Sequence, residues 1–254
     1  MPRDVTLSAQ QRDTLTVYPA ANLAELGVDV FVTDRFNGVS AGPFESLNLG
    51  DHVGDDEDCV RENRALVAHA TGVDTDHFVT VRQVHGARVL DGGSVTDASE
   101  ADALVTDSPA LALAILVADC VPLALVDASS GRVALVHAGW RGLEVGIIAR
   151  ALEGFDTRAT HAFIGPSISK ERYQVGPDVA RYFTSVPGAL TPDGDDRSRL
   201  DLRLVATRQL LDAGVVDDRI VRSRDVTDGG EVFFSDRAQR PCGRFAIVAK
   251  RVVA

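Results

Sequence analysis

Two histidines and one cysteine, far apart along the chain, have side chains that could bind a metal ion together. They are His85 in QVHG, Cys120 in ADCVP and His137 in HAGWRG. Each lies where an apolar run breaks, so each is predicted to project from the end of a buried strand. One thiolate and two imidazoles suit zinc, with a fourth position left for water or substrate. If the three side chains converge, the sequence predicts a metal-dependent enzyme.

Taken singly, each of these residues has an ordinary structural explanation. A histidine at a strand end is more often structural or solvent-facing than a ligand, and a free cysteine often packs in a core. The intervals of 35 residues from His85 to Cys120 and 17 residues from Cys120 to His137 match no zinc signature of paired cysteines. The spacing alone therefore leaves both the metal site and the structural explanation open.

The composition limits the class of protein. The chain has 254 residues, 45% of them hydrophobic, which is enough for one compact domain. A formal charge of −11 argues against broad binding to nucleic acid. The N-terminus carries no secretory signal, and the longest apolar run, 110–126, is broken by Asp119 and Pro122, which argues against a membrane helix. We expect a cytoplasmic monomer or homodimer with neither nucleic acid nor membrane as a partner.

Strands and helices are interspersed, which predicts an α/β (mixed α+β) fold: a single compact domain with mixed β-sheets flanked by helices. We expect an N-terminal extension over residues 1–27, one catalytic domain over 28–254, and a flexible loop over 186–199. Helices are predicted over 55–71, from Gly139 to about residue 155, over 177–183 and over 201–213. Strands are predicted in 28–33, 77–85, 101–107, 112–127 (two strands), 132–138, 160–164, 220–226, 232–236 and 243–252.

Nine short motifs occur in a single order along the chain. They are SLNLGDHVGDD, ENR, QVHG, ADALVTD, ADCVPLALVD, HAGWRG, IGPSI, YQVG and FFSDR. Together they resemble the YfiH family, formerly described as laccase-domain or polyphenol oxidase proteins and now assigned as purine nucleoside phosphorylases. The resemblance spans about residues 28–250, and ADC followed by HAGWRG is its most specific part.

The resemblance implies a single α/β domain with zinc bound by His85, Cys120 and His137. It implies phosphorolysis of adenosine and inosine to free base and ribose 1-phosphate. S-methyl-5′-thioadenosine phosphorolysis and adenosine deamination are further activities assigned to the family. Purine nucleosides and phosphate are therefore the expected partners, and Zn2+ is the expected cofactor, with Cu2+ as the alternative metal.

The matching motifs also supply candidate substrate-binding residues. Ser46 and Asn48 offer hydrogen bonds to ribose hydroxyls or base, and Asn48 is in addition a catalytic candidate. Arg64 and Arg237 are predicted to face the phosphate. Structural alternatives stay open here, because Asn48 can hold a turn and Arg64 can pair with a glutamate on its own helix.

Arg141 and Asp119 complete the catalytic candidates. Arg141, one turn from His137, is placed to meet an anion at the start of a helix, although it can equally be a solvated helix residue. Asp119 adjoins Cys120, and neighbours on a strand point to opposite faces. It acts as a base only if the break at Cys120 redirects it, and otherwise it supports a metal ligand from behind.

The chain departs from the family near its C-terminus. The family usually reads FFSYRR, whereas residues 233–238 read FFSDRA. Asp236 replaces the tyrosine and Ala238 replaces the second arginine, which puts any anion site built from that pair in doubt. The cysteine and threonine often found upstream are also absent, around Arg224 and Asp225.

Three other functions compete with the phosphorylase. A copper-dependent phenol oxidase agrees with the older family name, but a multicopper centre needs more than the six histidines present. A cysteine hydrolase would use Cys120 as nucleophile and His137 or His85 as base. A non-enzymatic cell-wall accessory protein is the third alternative, and no residue of this sequence points to muropeptides.

Overall fold

Sixteen strands and six α-helices follow one another along residues 2–252, the part of the chain that the computed structural model describes. Among these helices none has the length and apolar character needed to cross a bilayer. The helices are α1 Ala21–Ala24, α2 Glu57–Ala70, α3 Trp140–Glu144, α4 Ile147–Ala151, α5 Pro177–Ala180 and α6 Leu202–Asp212, with 3-10 turns at Gly42–Phe44, Thr75–His77, Gly92–Ser94, Arg181–Phe183 and Asp217–Arg219. The strands are β1 Arg3–Val5, β2 Gln10–Arg12, β3 Leu15–Pro19, β4 Val28–Thr33, β5 Phe78–Val79, β6 Val89–Asp91, β7 Ala103–Thr106, β8 Ala112–Val117, β9 Val121–Asp127, β10 Val133–Ala138, β11 Thr160–Ile164, β12 Gln174–Val175, β13 Leu190–Pro192, β14 Ser198–Leu200, β15 Ile220–Ser223 and β16 Phe245–Arg251.

Two large mixed sheets dominate the architecture. One has seven strands in the order β1-β15-β11-β9-β10-β7-β6, and the other has six in the order β2-β3-β4-β16-β8-β5. A small antiparallel sheet, β12-β14-β13, lies beside them. The first residues of the chain take part, because β1 pairs parallel with β15 and β3 pairs antiparallel with β4. The predicted α/β class, with mixed sheets flanked by helices, is confirmed.

The two large sheets pack face to face, with helices on both outer faces. Alternate residues of β9 show this arrangement: Leu123 and Leu125 face helices α4 and α6, whereas Ala124 and Val126 face the six-stranded sheet. Helix α2 covers the other face of the six-stranded sheet through buried Val67. The order of layers is therefore helix, sheet, sheet, helices, and buried apolar side chains fill each of the three spaces between layers.

The chain passes from one large sheet to the other at residues 118–120. Strand β8 belongs to the six-stranded sheet and β9 to the seven-stranded sheet, and Cys120 immediately precedes β9. Strand β10 pairs antiparallel with β9 so that His137 lies opposite Pro122 and Ala138 opposite Val121. This register brings the end of β10 beside Cys120, at one end of the space between the sheets.

The prediction of a strand over residues 77–85 is wrong beyond β5. Two side chains take the backbone groups that a neighbouring strand would otherwise bind. Gln83 pairs with the backbone of Leu116 through both ends of its amide, at 2.7 and 2.8 Å. The Asp102 carboxylate accepts the N–H groups of His85 and Gly86, at 2.8 and 2.6 Å. His85 takes a positive φ of 60°, which ends the extended conformation.

Three other predicted elements differ from the structure. Residues 232–236 form no strand. The Ser235 hydroxyl in this loop donates a hydrogen bond to the buried carboxylate of Asp119 instead. The expected flexible loop over 186–199 contains β13 and β14, which pair as an antiparallel hairpin. The helix expected after Gly139 is divided into α3 and α4 by Gly146, whose φ of 81° no continuous helix contains.

Asp127 ends β9 and organises the loop that follows it. Its buried carboxylate accepts hydrogen bonds from the N–H and hydroxyl of Ser129, the hydroxyl of Ser130 and the N–H of Asp156, at 2.7–3.1 Å. Burial raises the pKa of Asp127, but these donors outweigh it and lower the pKa to about 2. A folded-state pKa below the unfolded value gives stability that is present above about pH 4 and lost as the pH falls toward 2.

Asp127→Asn is therefore expected to lower the free energy of unfolding by about 2 kcal/mol at pH 7 and about 1 kcal/mol at pH 3. Urea denaturation at the two pH values measures this difference. Exposed Asp107, changed to asparagine, is the matched control, with an expected effect within about 0.5 kcal/mol. An equal loss for Asp127→Asn at both pH values would contradict the charged-acceptor explanation.

Candidate metal centre and its cavity

The side chains of His85, Cys120 and His137 meet at the end of the space between the two large sheets. Their possible ligand atoms all lie within 4.8 Å of one another. The two imidazole rings are 4.7 Å apart between centroids, at an interplanar angle of 75°. His137 is buried, Cys120 is half-buried and His85 is exposed. One side of this cluster is therefore open to solvent and to a ligand.

Gly139 makes this close approach possible. A Cβ atom at residue 139 would lie 2.9 Å from the Cys120 sulfur and 3.1 Å from Cδ2 of His85. Both distances are shorter than a side chain can adopt without displacing its neighbour. The first glycine of HAGWRG, Gly139, is thus explained by the lack of space beside two of the three clustered side chains.

Asp102, which was not among the residues predicted from the sequence, holds two of the three cluster residues in place. Its carboxylate is fully buried, lies 2.8 Å from Nδ1 of His137, and accepts the N–H groups of His85 and Gly86. The bond to Nδ1 fixes the proton there and leaves Nε2 of His137 free as a ligand atom. Asp102 lies in the motif ADALVTD, directly before an apolar strand, and a carboxylate in that position was the only indication in the sequence.

The charges in the cluster favour a thiolate at Cys120. Burial raises the pKa of the Cys120 thiol, but His137 and His85 outweigh it and lower the pKa to about 6. Burial lowers the pKa of His137, whereas the Cys120 sulfur and Asp102 raise it to about 9. A thiolate is the form of cysteine that binds metals and acts as a nucleophile.

The donor set fits a metal ion by its chemistry. Two imidazoles and a thiolate are ligands that zinc prefers, and the carboxylate behind a ligating histidine is the usual support of such sites. Copper accepts the same ligand types. The arrangement is therefore a His-Cys-His metal-binding group, and it does not by itself select the metal.

Asp119 takes a positive φ of 87°, and its carboxylate binds the loop before β16. One of its carboxylate oxygens accepts the hydroxyls of Thr227 and Ser235, at 2.5 and 2.7 Å, and the other accepts the N–H of Arg237 at 2.7 Å. These contacts tie the loop before β16 to the residue beside Cys120. Three donors satisfy this carboxylate, which favours a supporting role over that of a base.

The cluster opens into a cavity of about 360 Å³ with a cationic wall. None of the residues 2–252 accepts a hydrogen bond from the guanidinium of Arg141, which lies 4.4 Å above the Trp140 ring. Arg237 lies 5.2 Å from the Tyr173 ring centroid. The charged groups of the lining, four arginines and two aspartates, favour anions although the chain as a whole is acidic. They are Arg141, Arg237, Arg240, Arg244, Asp119 and Asp236.

Three predicted site residues lie outside the lining of this cavity, among the residues described. The Ser46 hydroxyl accepts the N–H of Gly38 at 3.0 Å. The Arg64 guanidinium binds the carbonyl of Leu49 and lies in a neighbouring cavity of about 820 Å³. The buried amide of Asn48 donates to the carbonyl of Gly50 and the carboxylate of Asp55, and its oxygen accepts the N–H groups of Gly50 and Arg244. The structure thus brings Arg141 and Arg237 to the metal centre, but not these three.

The departure at residues 233–238 also lies beside this cavity. Asp236, which stands where the family has tyrosine, is part of the lining. Ala238, which stands where the family has its second arginine, is not. Arg240 and Arg244, two and six residues further along the chain, do contribute guanidinium groups to the same wall.

The sequence matches one protein family and its relatives over most of its length. A family model described as multi-copper polyphenol oxidoreductase laccase matches residues 29–251. A purine nucleoside phosphorylase of Mycobacterium tuberculosis is 41% identical over 222 residues, covering 84% of this chain and 88% of the relative. One of Deinococcus radiodurans is 40% identical over 225 residues, covering 86% and 87% respectively.

Solved structures share the whole fold. The crystal structure of YlmD from Geobacillus stearothermophilus has a TM-score of 0.88 and 32% identity, covering 97% of this chain and 100% of that one. The YfiH protein of Bacillus licheniformis has a TM-score of 0.87 and 31% identity, covering 94% and 98% respectively. The chain therefore belongs to the YfiH family, whose family model carries the description multi-copper polyphenol oxidoreductase laccase.

Proposed function

We propose that this protein is a zinc-dependent purine nucleoside phosphorylase. Its substrates would be adenosine, inosine and S-methyl-5′-thioadenosine, each converted with phosphate to the free base and the sugar 1-phosphate. The observation that carries the proposal is the His-Cys-His cluster in the lining of a cavity that also contains four arginines. The names of the relatives, purine nucleoside phosphorylase, support the same reaction.

His85, Cys120 and His137 would hold the zinc ion, with Asp102 fixing the orientation of His137. Zinc is preferred to copper because the cluster keeps one open side and donors typical of catalytic zinc sites. A zinc ion bound there would supply a Lewis acid to the cavity. Arg141 and Arg237 would add positive charge around the bound phosphate, since both guanidinium groups line the cavity.

The reaction exchanges one bond at the sugar for another. The C1′–N9 bond breaks, its electron pair goes to the base, and a C1′–O bond forms to phosphate. The proton of hydrogen phosphate ends on the departing base. Positive charge develops on the sugar as the first bond breaks, so an anion held next to C1′ stabilises the transition state and completes the substitution.

Ser46, Asn48, Arg64 and Asp119 have indirect roles in this proposal. The side chains of Ser46, Asn48 and Asp119 bind backbone N–H groups of loops around the cavity. The Arg64 side chain lines the neighbouring cavity instead. Asn48 in particular accepts the N–H of Arg244 at 2.8 Å, and so positions a residue of the cationic wall.

Adenosine deamination is the second candidate activity. The observation in its favour is the donor set, because zinc deaminases of nucleobases also use histidine and cysteine ligands. Those enzymes use a carboxylate as general acid and base. Within the lining described, the two carboxylates belong to Asp119 and Asp236, and both bind protein donors. The phosphorylase is therefore the primary proposal.

We also propose that the protein acts in the cytoplasm, where nucleosides and phosphate are available.

Product analysis with and without phosphate tests the proposal. Purified protein with its metal content measured is incubated with adenosine, and the products are separated by chromatography. Phosphorolysis gives adenine and ribose 1-phosphate only when phosphate is present, whereas deamination gives inosine in either case. Absence of adenine with phosphate at micromolar, zinc-loaded enzyme would refute the phosphorylase, and phenol oxidation that tracks bound copper would favour the oxidase instead.

A further inference from the structure

We propose that Arg240 and Arg244, joined by the carboxylate of Asp236, form the phosphate-binding site of this enzyme, an inference that rests on the proposed function. The two arginines and the aspartate line the same cavity as the His-Cys-His cluster. The pair supplies the anion site that the alanine at position 238 put in doubt.

Asp236 fixes the two guanidinium groups relative to each other. One carboxylate oxygen lies 2.6 Å from Nη2 of Arg240, and the other lies 3.3 Å from Nη2 of Arg244. The backbone carbonyl of Asp236 accepts a further hydrogen bond from Nε of Arg240 at 3.0 Å. A single residue thus holds two cationic side chains on one wall.

Arg244 is the more rigid of the two arginines. Its Nη1 donates to the carbonyls of Cys242 and Gly243, both at 3.0 Å, and its side chain is 19% exposed. Its backbone N–H binds the buried amide oxygen of Asn48. A Cβ atom at residue 50 would lie 2.8 Å from Cγ of Arg244, so the glycine of SLNLG leaves space for this side chain.

Both arginines keep donors for a ligand. A guanidinium has five N–H groups, and the contacts of Arg240 use two of them. Arg240, Arg244 and Asp236 together carry a net charge of +1, because one carboxylate lies between two guanidinium groups. Arg141 and Arg237 add further positive charge to the cavity. Arginines held by a carboxylate present fixed donors, which is the geometry that binds a phosphate dianion well.

The competing explanation is a surface ion pair without function, because the Arg240 side chain is 75% exposed and exposed pairs contribute little to stability. The chain offers a matched comparison. Arg150 of helix α4 pairs at 2.9 Å with Glu153 in the turn after the helix, is 64% exposed, and lies outside the cavity lining described. If Arg240 were merely a surface ion pair, Arg240→Ala and Arg150→Ala would have the same effect on phosphate.

The test compares Arg240→Ala, Arg240→Lys and Arg150→Ala with the unchanged protein. Three quantities are measured: the rise in Tm caused by millimolar inorganic phosphate, the KM for phosphate and the KM for adenosine. Arg240→Ala is expected to raise the KM for phosphate roughly 10- to 100-fold. It should abolish the phosphate-dependent rise in Tm and leave the KM for adenosine within about twofold. Arg240→Lys is expected to lie between, and Arg150→Ala to match the unchanged protein.

The outcomes separate this inference from the proposed function. A protein that cleaves nucleosides but keeps its KM for phosphate in Arg240→Ala overturns the phosphate site alone. A protein whose phosphate-dependent rise in Tm is lost in Arg240→Ala, but which cleaves no nucleoside, overturns the phosphorylase and retains the anion site. No phosphate-dependent rise in Tm in the unchanged protein also overturns the site.

Discussion

Replacing Cys120 with alanine is expected to remove the bound metal and lower kcat/KM for phosphorolysis by at least about 1000-fold. The sulfur is one of only three protein donors in the cluster, and two imidazoles alone would hold zinc too weakly to survive purification. Loss of the several kcal/mol that a metal contributes to a transition state corresponds to a rate change of this size. Zinc per chain by mass spectrometry and initial rates on adenosine with phosphate measure the two effects.

The control is Cys59→Ala, which changes a half-buried cysteine on helix α2 and should keep both metal and activity. Alkylation distinguishes the metal ligand from a cysteine nucleophile. A zinc-bound Cys120 should react with iodoacetamide only after a chelator is added, whereas a free nucleophile reacts at once. One equivalent of zinc and full turnover in Cys120→Ala would contradict the assigned role.

Asp102→Asn is expected to weaken metal binding roughly 10- to 100-fold and to lower the stability of the metal-free protein by about 3 kcal/mol. The carboxylate accepts hydrogen bonds on both oxygens from His137, His85 and Gly86, and it is fully buried. An amide has one oxygen and places an NH2 group against donors that need an acceptor. Competition with a chromophoric chelator gives the metal affinity, and urea unfolding of the chelator-treated protein gives the stability.

Asp107→Asn provides the comparison, because Asp107 is 61% exposed and pairs with Arg132 at 3.4 Å. Its effect on the free energy of unfolding should be within about 0.5 kcal/mol, with metal affinity unchanged. Stability must be measured without metal, since a ligand that binds the folded state raises apparent stability by itself. Unchanged metal affinity in Asp102→Asn would show that His137 is oriented by other contacts.

The elements with continuous apolar runs or helical periodicity could be predicted from the sequence. Strands β4, β8 and β9 and helix α2 all occur where their patterns place them. Side-chain burial on both faces of a strand or along one face of a helix is written locally in the sequence. Segments whose conformation is set by a distant carboxylate carry no such pattern, which explains the errors over residues 80–85 and 232–236.

The resemblance to the YfiH family, carried by short motifs, is confirmed by the match over residues 29–251. Membership alone did not distinguish residues that line the cavity from residues that support it. Asn48 and Arg237 lie in equally recognisable motifs, yet only Arg237 lies on the cavity wall. A motif records that a residue type matters, while its contacts decide what it does.

The residue types at positions 85, 120 and 137, and the buried strands that lie beside Cys120 and carry His137, were determined by the sequence alone. Their convergence was decided by tertiary structure, because it requires β8 and β9 to belong to different sheets and β10 to pair with β9 in one register. Tertiary structure likewise decided the supporting contacts, in which Asp102 binds His137 and Asp119 binds the loop before β16. Hydrogen bonds between residues 35 or more apart along the chain leave no spacing or periodicity to read, so only the folded molecule reveals them.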